Sequence, residues 1–289
     1  MRRYAFIYNP AARNGRSQST ANRLEEKLSE LNHAHLFHSE AKGDIAFLVE
    51  DLAKDYDVIV ACGGDGTVQE VASGLIGTNV IMGIIPMGTG NDLCKTLGIP
   101  TDLNDAFEVI KKGQLRAIDV GQCNNDVFLN SLGFGFDGLT NSFALQLNQW
   151  PSIFRYVIGA LRATSSHKPF NVKVTTEEDT YYQKLMMITL ANGRVEGGSF
   201  WVAPGADISD GKLEMVAIKP IQKCLIPFLL IFFLIKKSGW IPHVTIKKVS
   251  DVTLSFNETP EIHADGEVIT SEENIFSISL IPKGLEVLV

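Results

Sequence analysis

Two acids flank a glycine at Asp265-Gly266-Glu267, directly after the short run Glu261-Ile262-His263-Ala264. In an extended backbone, residues two apart leave the same face, so both carboxylates are expected to converge on one point. Neighbouring acids raise each other's proton affinity, which suits one of them to accept a proton from a hydroxyl near neutral pH. The plain alternative is a solvated Asp-Gly turn. A second stretch, Gly63-Gly64-Asp65-Gly66-Thr67, joins the apolar run 57–62 to a segment with apolar residues at Val68, Val71, Ala72 and Leu75. That pattern is a strand end turning into a helix N-terminus, where backbone N–H groups, the helix dipole and absent Cβ atoms favour a phosphate. Asp65 adds a carboxylate suited to magnesium, directly or through water.

A third stretch, Pro86-Met87-Gly88-Thr89-Gly90-Asn91-Asp92, follows another apolar run and offers the Thr89 hydroxyl and a helix cap at Asn91 or Asp92. A fourth, Ala206-Asp207-Ile208-Ser209-Asp210-Gly211-Lys212, puts carboxylates and carbonyls on an irregular turn, which suits a hard cation or a plain Asp-Gly hairpin. A held triphosphate, a magnesium ion and a base are the parts that phosphoryl transfer to an alcohol needs. The scattered His33, His35, His38, His167 and His243 show no ligand spacing and read as surface or strand residues.

The elements that must position these groups change character along the 289 residues. Strand patterns at Tyr4–Tyr8, His33–His38, 57–62 and 80–85 alternate with helical ones, the first with Ala21, Leu24, Leu28 and Leu31 on one face. Such β-α repeats predict a doubly wound parallel sheet, with ligands beyond the C-terminal ends of its strands. From Arg116 onward the pattern is of short strands and turns: Ala117–Gln122 with Asp126–Leu132, Phe170–Thr176 with Tyr181–Leu190, and further strands to the end. This predicts an α/β domain over 1–115 and an antiparallel β domain over 116–289, with helical insertions near 138–165 and 221–238. The last strand, Leu285–Val289, is placed to return to the first domain.

A net charge of −7 argues against nucleic acid as a partner, and an apolar content of 45% supplies real cores. The four cysteines, Cys62, Cys94, Cys123 and Cys224, form no CxxC pair and read as reduced cytosolic thiols. No signal peptide is read at the N-terminus. Cys224–Ile235 is unbroken apolar sequence between Lys223 and Lys236-Lys237, with Trp240 close behind. As a helix it reaches about 18 Å, too short for a bilayer core of about 30 Å. It suits a helix lying at a membrane interface, or one buried against the rest of the domain or a partner in a homodimer.

Gly63–Thr67, Pro86–Asp92, Ala203–Lys212 and His263–Glu267, in this order, resemble the soluble bacterial diacylglycerol kinases and related lipid kinases, whose catalytic domain is shared with eukaryotic diacylglycerol, sphingosine and ceramide kinases. The resemblance runs from Asn9-Pro10 to the end of the chain. It implies an ATP-binding first domain, a β-sandwich second domain and an active site in the cleft between them. It assigns ATP contacts to Asn9, Pro10, Ala11, Ala12, Arg13, Ser39, Gly64, Asp65, Gly66, Thr67, Val68, Gln69, Glu70 and Thr89. It places the proton acceptor at Glu267 with Asp265 beside it. It implies a structural Mg2+ held by the Asp210 side chain and the backbone oxygens of Asp207 and Lys212, with Asp119 and Arg194 in an electrostatic network. Where the family often reads Ser-Gly-Lys after Asn-Pro, this chain reads Ala11-Ala12-Arg13-Asn14-Gly15-Arg16, and Arg16 can supply the cation. The activity implied is ATP-dependent phosphorylation of a membrane lipid, diacylglycerol to phosphatidic acid, by a cytoplasmic, peripherally membrane-bound enzyme. A kinase for another lipid or a soluble acceptor, and a nucleotide-regulated membrane-binding protein without turnover, are the rival readings.

Overall fold

The computed structural model describes residues 2–10, 17–39, 43–147 and 149–289. The chain divides into two units, residues 1–118 with 283–289 and residues 119–282. The ATP-contact positions Ala11, Ala12 and Arg13, and Arg16 with them, lie outside the described residues.

In the first unit, β1 (Tyr4–Tyr8), α1 (Ser17–Leu28), β2 (Ala34–His38), α2 (Asp44–Leu52), β3 (Val58–Gly63), α3 (Asp65–Leu75) and β4 (Ile81–Pro86) alternate as their periodicity requires. The strands pair in parallel in the order β2-β1-β3-β4. Every residue of β3 and β4 is buried, as in a sheet covered on both faces. The covering helices bury matching stripes, Ile45, Val49 and Leu52 on α2 and Val68, Val71, Ala72 and Leu75 on α3. After α4 (Asp92–Leu97) comes α5 (Leu103–Lys112), started by the Asp102 carboxylate, which accepts the Asn104 and Asp105 N–H groups, and stopped by Gly113 at φ 68°. The chain leaves this unit through β5 (Leu115–Cys123) and returns at the end of the last strand, where Val287 pairs with Met82.

The second unit contains β6 (Asp126–Phe128), β7 (Ser131–Gly135), α6 (Phe136–Leu145), α7 (Ser152–Ser166), β8 (Phe170–Thr176), β9 (Thr180–Leu185), β10 (Met187–Ala191), β11 (Leu213–Ile218), α8 (Ile226–Leu234), β12 (Val244–Val249), β13 (Val252–Phe256), β14 (Ile262–Ala264), β15 (Glu267–Ile269) and β16 (Ile275–Leu288). One antiparallel sheet runs β12-β11-β10-β7-β14-β15; the other joins β16, β13, β8 and β9. Phe134 of the first sheet meets Phe256 and Phe276 of the second at ring separations of 5.3 and 5.2 Å, at the centre of the apolar filling. A separate apolar cluster includes Ala160 of α7, Met187 and Val216 of the first sheet, and Leu229 and Phe233 of α8.

Two runs read as single strands are each broken in two. The run Tyr181–Leu190 ends its pairing with β8 at Leu185, and β10 then joins β7 and β11 in the other sheet. Between them, Met186 donates to the Ile218 carbonyl and accepts from the Phe136 N–H. The run Asp126–Leu132 breaks at Leu129-Asn130, because the N–H groups there turn to a carboxylate 135 or so residues away.

Candidate functional site

In the first unit the expected phosphate-binding residues gather at the C-terminal ends of parallel strands. Asn9, just past β1, donates from Nδ2 to the Thr67 hydroxyl at 2.9 Å. Ser39, just past β2, is buried and donates its N–H to the Tyr8 carbonyl at 3.0 Å. Gly64 stands immediately before α3, and Glu70, on the second turn of that helix, accepts the Gly43 N–H at 3.2 Å. Thr89 is exposed at the tip of the loop after β4.

The two glycine loops are locked together. Asp65 accepts the Asn91 N–H on one carboxylate oxygen at 2.9 Å and the Asp92 N–H on the other at 2.7 Å. Asn91, in the left-handed region at φ 52°, closes its own loop by exchanging two 3.0 Å hydrogen bonds with the Gly88 backbone. A Cβ on Gly88 would stand 2.7 Å from Gly64 Cα, and one on Gly90 would stand 2.6 Å from an Asp65 oxygen. These glycines are therefore required for the loops to approach each other, independently of any phosphate. Burial raises the Asp65 carboxyl above its ordinary value, against the pull of the Asp92 and Asn91 N–H groups and the Lys95 ammonium. Both oxygens already accept backbone donors, so the side chain fixes loop geometry, and any metal at Asp65 must share that carboxylate with them.

In the second unit, Ala264 pairs with Glu267 across β14 and β15, leaving Asp265 and Gly266 as a two-residue turn with φ of 50° and 86°. This is the turn for which Asp-Gly is preferred. The chain reverses between the two acids, so the extended, same-face geometry expected for Asp265 and Glu267 does not occur. Instead the Asp265 carboxylate accepts the backbone N–H groups of Leu129, Asn130 and Ser131 at 2.7, 2.8 and 2.9 Å. Consecutive N–H groups converging on one anion make a fixed nest that pins the hairpin. Glu267 stands at the start of β15, partly exposed. The Gly266 carbonyl accepts from Asn141 Nδ2 at 2.7 Å, and Tyr156 in turn donates its hydroxyl to Asn141 at 2.8 Å.

On the turn expected to hold a cation, Asp210 accepts the Lys212 N–H at 3.0 Å and faces the Lys248 ammonium at 2.5 Å, while the Asp207 carbonyl accepts the Asp210 N–H at 3.2 Å. Asp119 backs the turn by accepting the Gly211 N–H at 2.7 Å, and Arg194 donates to the Ala206 carbonyl at 2.7 Å. Burial, more than any neighbouring charge, raises the nearby Glu214 carboxyl, whose Oε2 is buried without a hydrogen bond. The donors are hard oxygens and one of them is unsatisfied, so a magnesium ion fits here chemically, provided that it displaces Lys248 from Asp210.

Several supporting residues carry no sequence motif. Asn192 donates to the Asp119 and Leu129 carbonyls at 2.8 and 2.7 Å, and Asn130 donates to the Val195 carbonyl at 2.6 Å. Asp137 and His263 face each other, buried, at 3.0 Å, with Glu196 beside them. Burial opposes charge on both, yet their mutual attraction prevails, holding Asp137 below its ordinary value and pushing His263 up to about 9. Burial and the neighbouring Asp137 push Glu196 well above its ordinary value. His263 is buried, and the partners of both His263 and Asp265 are remote in sequence.

Glycine loops at the ends of a parallel sheet, followed by an antiparallel sandwich carrying a pinned Asp-Gly-Glu hairpin, define a phosphotransferase architecture. Residues 3–123 match the diacylglycerol kinase catalytic domain, and residues 130–289 match the YegS C-terminal NAD kinase beta sandwich-like domain. The diacylglycerol kinase of Bacillus subtilis (strain 168) is 26% identical over 275 residues, covering 92% of this chain and 90% of that protein. The diacylglycerol kinase of Staphylococcus saprophyticus is 24% identical over 271 residues, covering 92% and 89%. A solved structure from Bacillus anthracis str. Sterne superposes with a TM-score of 0.84 at 26% identity, over 99% of this chain and 97% of the other. The chain belongs to the diacylglycerol kinase family of lipid kinases, phosphotransferases that use ATP.

Proposed function

We propose that this protein transfers the γ-phosphate of ATP, with Mg2+, to the hydroxyl of diacylglycerol in a membrane surface, giving phosphatidic acid. The observation that carries this reading is the locked pair of glycine loops at the C-terminal ends of β3 and β4, with Asp65 as the lock. Gly64–Glu70, with Asn9, Pro10, Ser39 and Thr89, hold the triphosphate, and the positive end of α3 faces it. Ala11–Arg13 are assigned to the same task by the resemblance. Magnesium, when bound, neutralises the charge that builds on the phosphate oxygens. Glu267 accepts the proton of the attacking hydroxyl, and Asp265 positions it by anchoring the turn. Asp210, with the carbonyls of Asp207 and Lys212, is assigned a structural magnesium ion. Diacylglycerol as acceptor is supported by the names of relatives at 24–26% identity; others are named only as lipid kinases.

Peripheral docking is assigned to α8. Its Ile226, Leu229 and Phe233 are buried, whereas Phe228, Ile231 and the neighbouring Leu225, Ile235 and Trp240 are exposed. Nine residues reach only roughly 14 Å, and among the described residues no helix is long and apolar enough to cross a membrane. Lys236 lies over the Trp201 ring at 3.6 Å and Lys237 over Trp240 at 4.4 Å, which places cations beside the apolar face, as an anionic lipid surface requires. Incubation of the pure protein with radiolabelled ATP, magnesium and a panel of lipids tests the reading. Label in phosphatidic acid supports it; label only in another lipid, in a soluble acceptor or in no product overturns it.

A further inference from the structure

We propose that Asp137, Glu196 and His263 form a binding site for a first-row divalent transition metal, of the zinc or manganese kind. Asp137 lies in the first turn of α6, His263 is the middle residue of β14, and Glu196 is held in the connection after β10 by backbone hydrogen bonds exchanged with Phe200. All three are at most 8% exposed, and one ligand atom from each lies within 4.8 Å of the other two. In a tetrahedral site with bonds of about 2.0–2.1 Å, neighbouring ligand atoms stand roughly 3.3 Å apart, so only small movements close the set. The His263 Nε2 to Asp137 Oδ2 separation is already 3.0 Å.

Four further features point to a ligand. First, His263 Nδ1 is buried without a hydrogen-bond partner, while Nε2 of the same ring faces Asp137 Oδ2 at 3.0 Å. Second, a Cβ on Gly133 would stand 2.3 Å from both Asp137 Oδ2 and His263 Nε2, so a glycine is what lets these two ligand atoms converge. Third, the wholly buried Thr189 donates its hydroxyl to Asp137 Oδ2 at 2.8 Å, the kind of outer contact that orients a ligating carboxylate. Fourth, Asp137 and Glu196 open onto a cavity of about 40 Å³, where the buried Thr140 hydroxyl also lacks a partner. Asp137, Glu196 and Thr140 form the polar end of that otherwise apolar cavity, so any water completing a coordination sphere is confined to that end.

The donor set selects the metal. One imidazole nitrogen with two carboxylate oxygens suits zinc or manganese, whereas magnesium prefers oxygen ligands and keeps its waters. Two carboxylates and a neutral imidazole also balance a dication, leaving no net buried charge. The metal would tie α6, the connection after β10, and β14 together. His263 precedes Asp265 by two residues, so the site also fixes the strand that carries the hairpin.

The test uses the full chain, stripped with chelator and titrated with ZnCl2 or MnCl2 alone, without nucleotide. Metal content after gel filtration and calorimetry are read together with the melting temperature. One retained equivalent and a raised melting temperature are expected. Glu196→Gln and His263→Gln should each weaken binding at least tenfold, whereas Asp210→Ala should retain it. Absence of retained metal in the wild-type protein overturns the proposal and leaves a proton-sharing cluster only. So does equal affinity in Glu196→Gln, the near-isosteric variant that decides the matter if His263→Gln fails to fold. Loss of the metal in Asp210→Ala alone would place it on the other turn.

Discussion

The Asp65 carboxylate accepts the backbone N–H of Asp92 at 2.7 Å, across 27 residues of chain, and so holds the start of α4 against the start of α3. A group at the heart of a phosphate loop thereby acts first on the shape of that loop. Asp65→Asn keeps the side-chain size but replaces one acceptor with a donor that faces another donor. Leaving such a buried N–H unpaired costs about 1–3 kcal/mol. The expected outcome is a folded protein with a lowered melting temperature and greatly weakened ATP binding. Unchanged values of both would contradict the lock.

The same packing makes a sharper prediction at Gly88, which offers no side chain to the nucleotide and acts only through the approach of the two loops. Gly88→Ala puts a methyl 2.7 Å from Gly64 Cα, where only backbone can give way. ATP affinity, measured by calorimetry, should fall at least tenfold, because the loops must part. Wild-type affinity would show that the two loops move independently.

The two faces of α8 should separate cleanly. Phe228→Ser with Ile231→Ser should reduce binding to vesicles containing anionic lipid while leaving the melting temperature nearly unchanged, since both side chains are exposed. Phe233→Ala, on the buried face, should instead cost about 3–5 kcal/mol of stability. A collapse of stability in the double serine variant would assign the outer face to protein packing, and a loss of self-association in place of lipid binding would assign it to a dimer.

At the Asp207–Lys212 turn, magnesium and Lys248 compete for Asp210. Lys248→Met should enlarge the rise in melting temperature produced by magnesium in nucleotide-free protein, and Asp210→Ala should abolish it. An identical magnesium response in the wild type and both variants would remove the metal from this turn.

Much of the first unit was legible because its signals are local: apolar runs for β3 and β4, helical stripes on α2 and α3, and glycines where strands end. The Asp265-Gly266 turn was also written in residue type, as the preferred pair of a tight hairpin, but the extended reading gave priority to spacing over turn chemistry. Other features were not legible. Leu129 and Asn130 leave their strand because their N–H groups serve Asp265, 136 and 135 residues away. The run 181–190 changes sheets with no turn residue to mark the break: its half-exposed first part, with Gln183 and Lys184, and its buried second part are both suited to strand. Asp137, Glu196 and His263 come from three separate elements, and no sequence spacing links them.

The most direct test of the central claim is kcat for phosphorylation of diacylglycerol in vesicles by Glu267→Gln, measured beside its ATP affinity. Removing a positioned base costs on the order of 10²–10⁴ in rate, and the lower end is expected here because a loose phosphoryl transfer asks little of its base. The account predicts a fall of roughly 10²-fold in kcat with ATP affinity unchanged. Wild-type turnover by Glu267→Gln would contradict it.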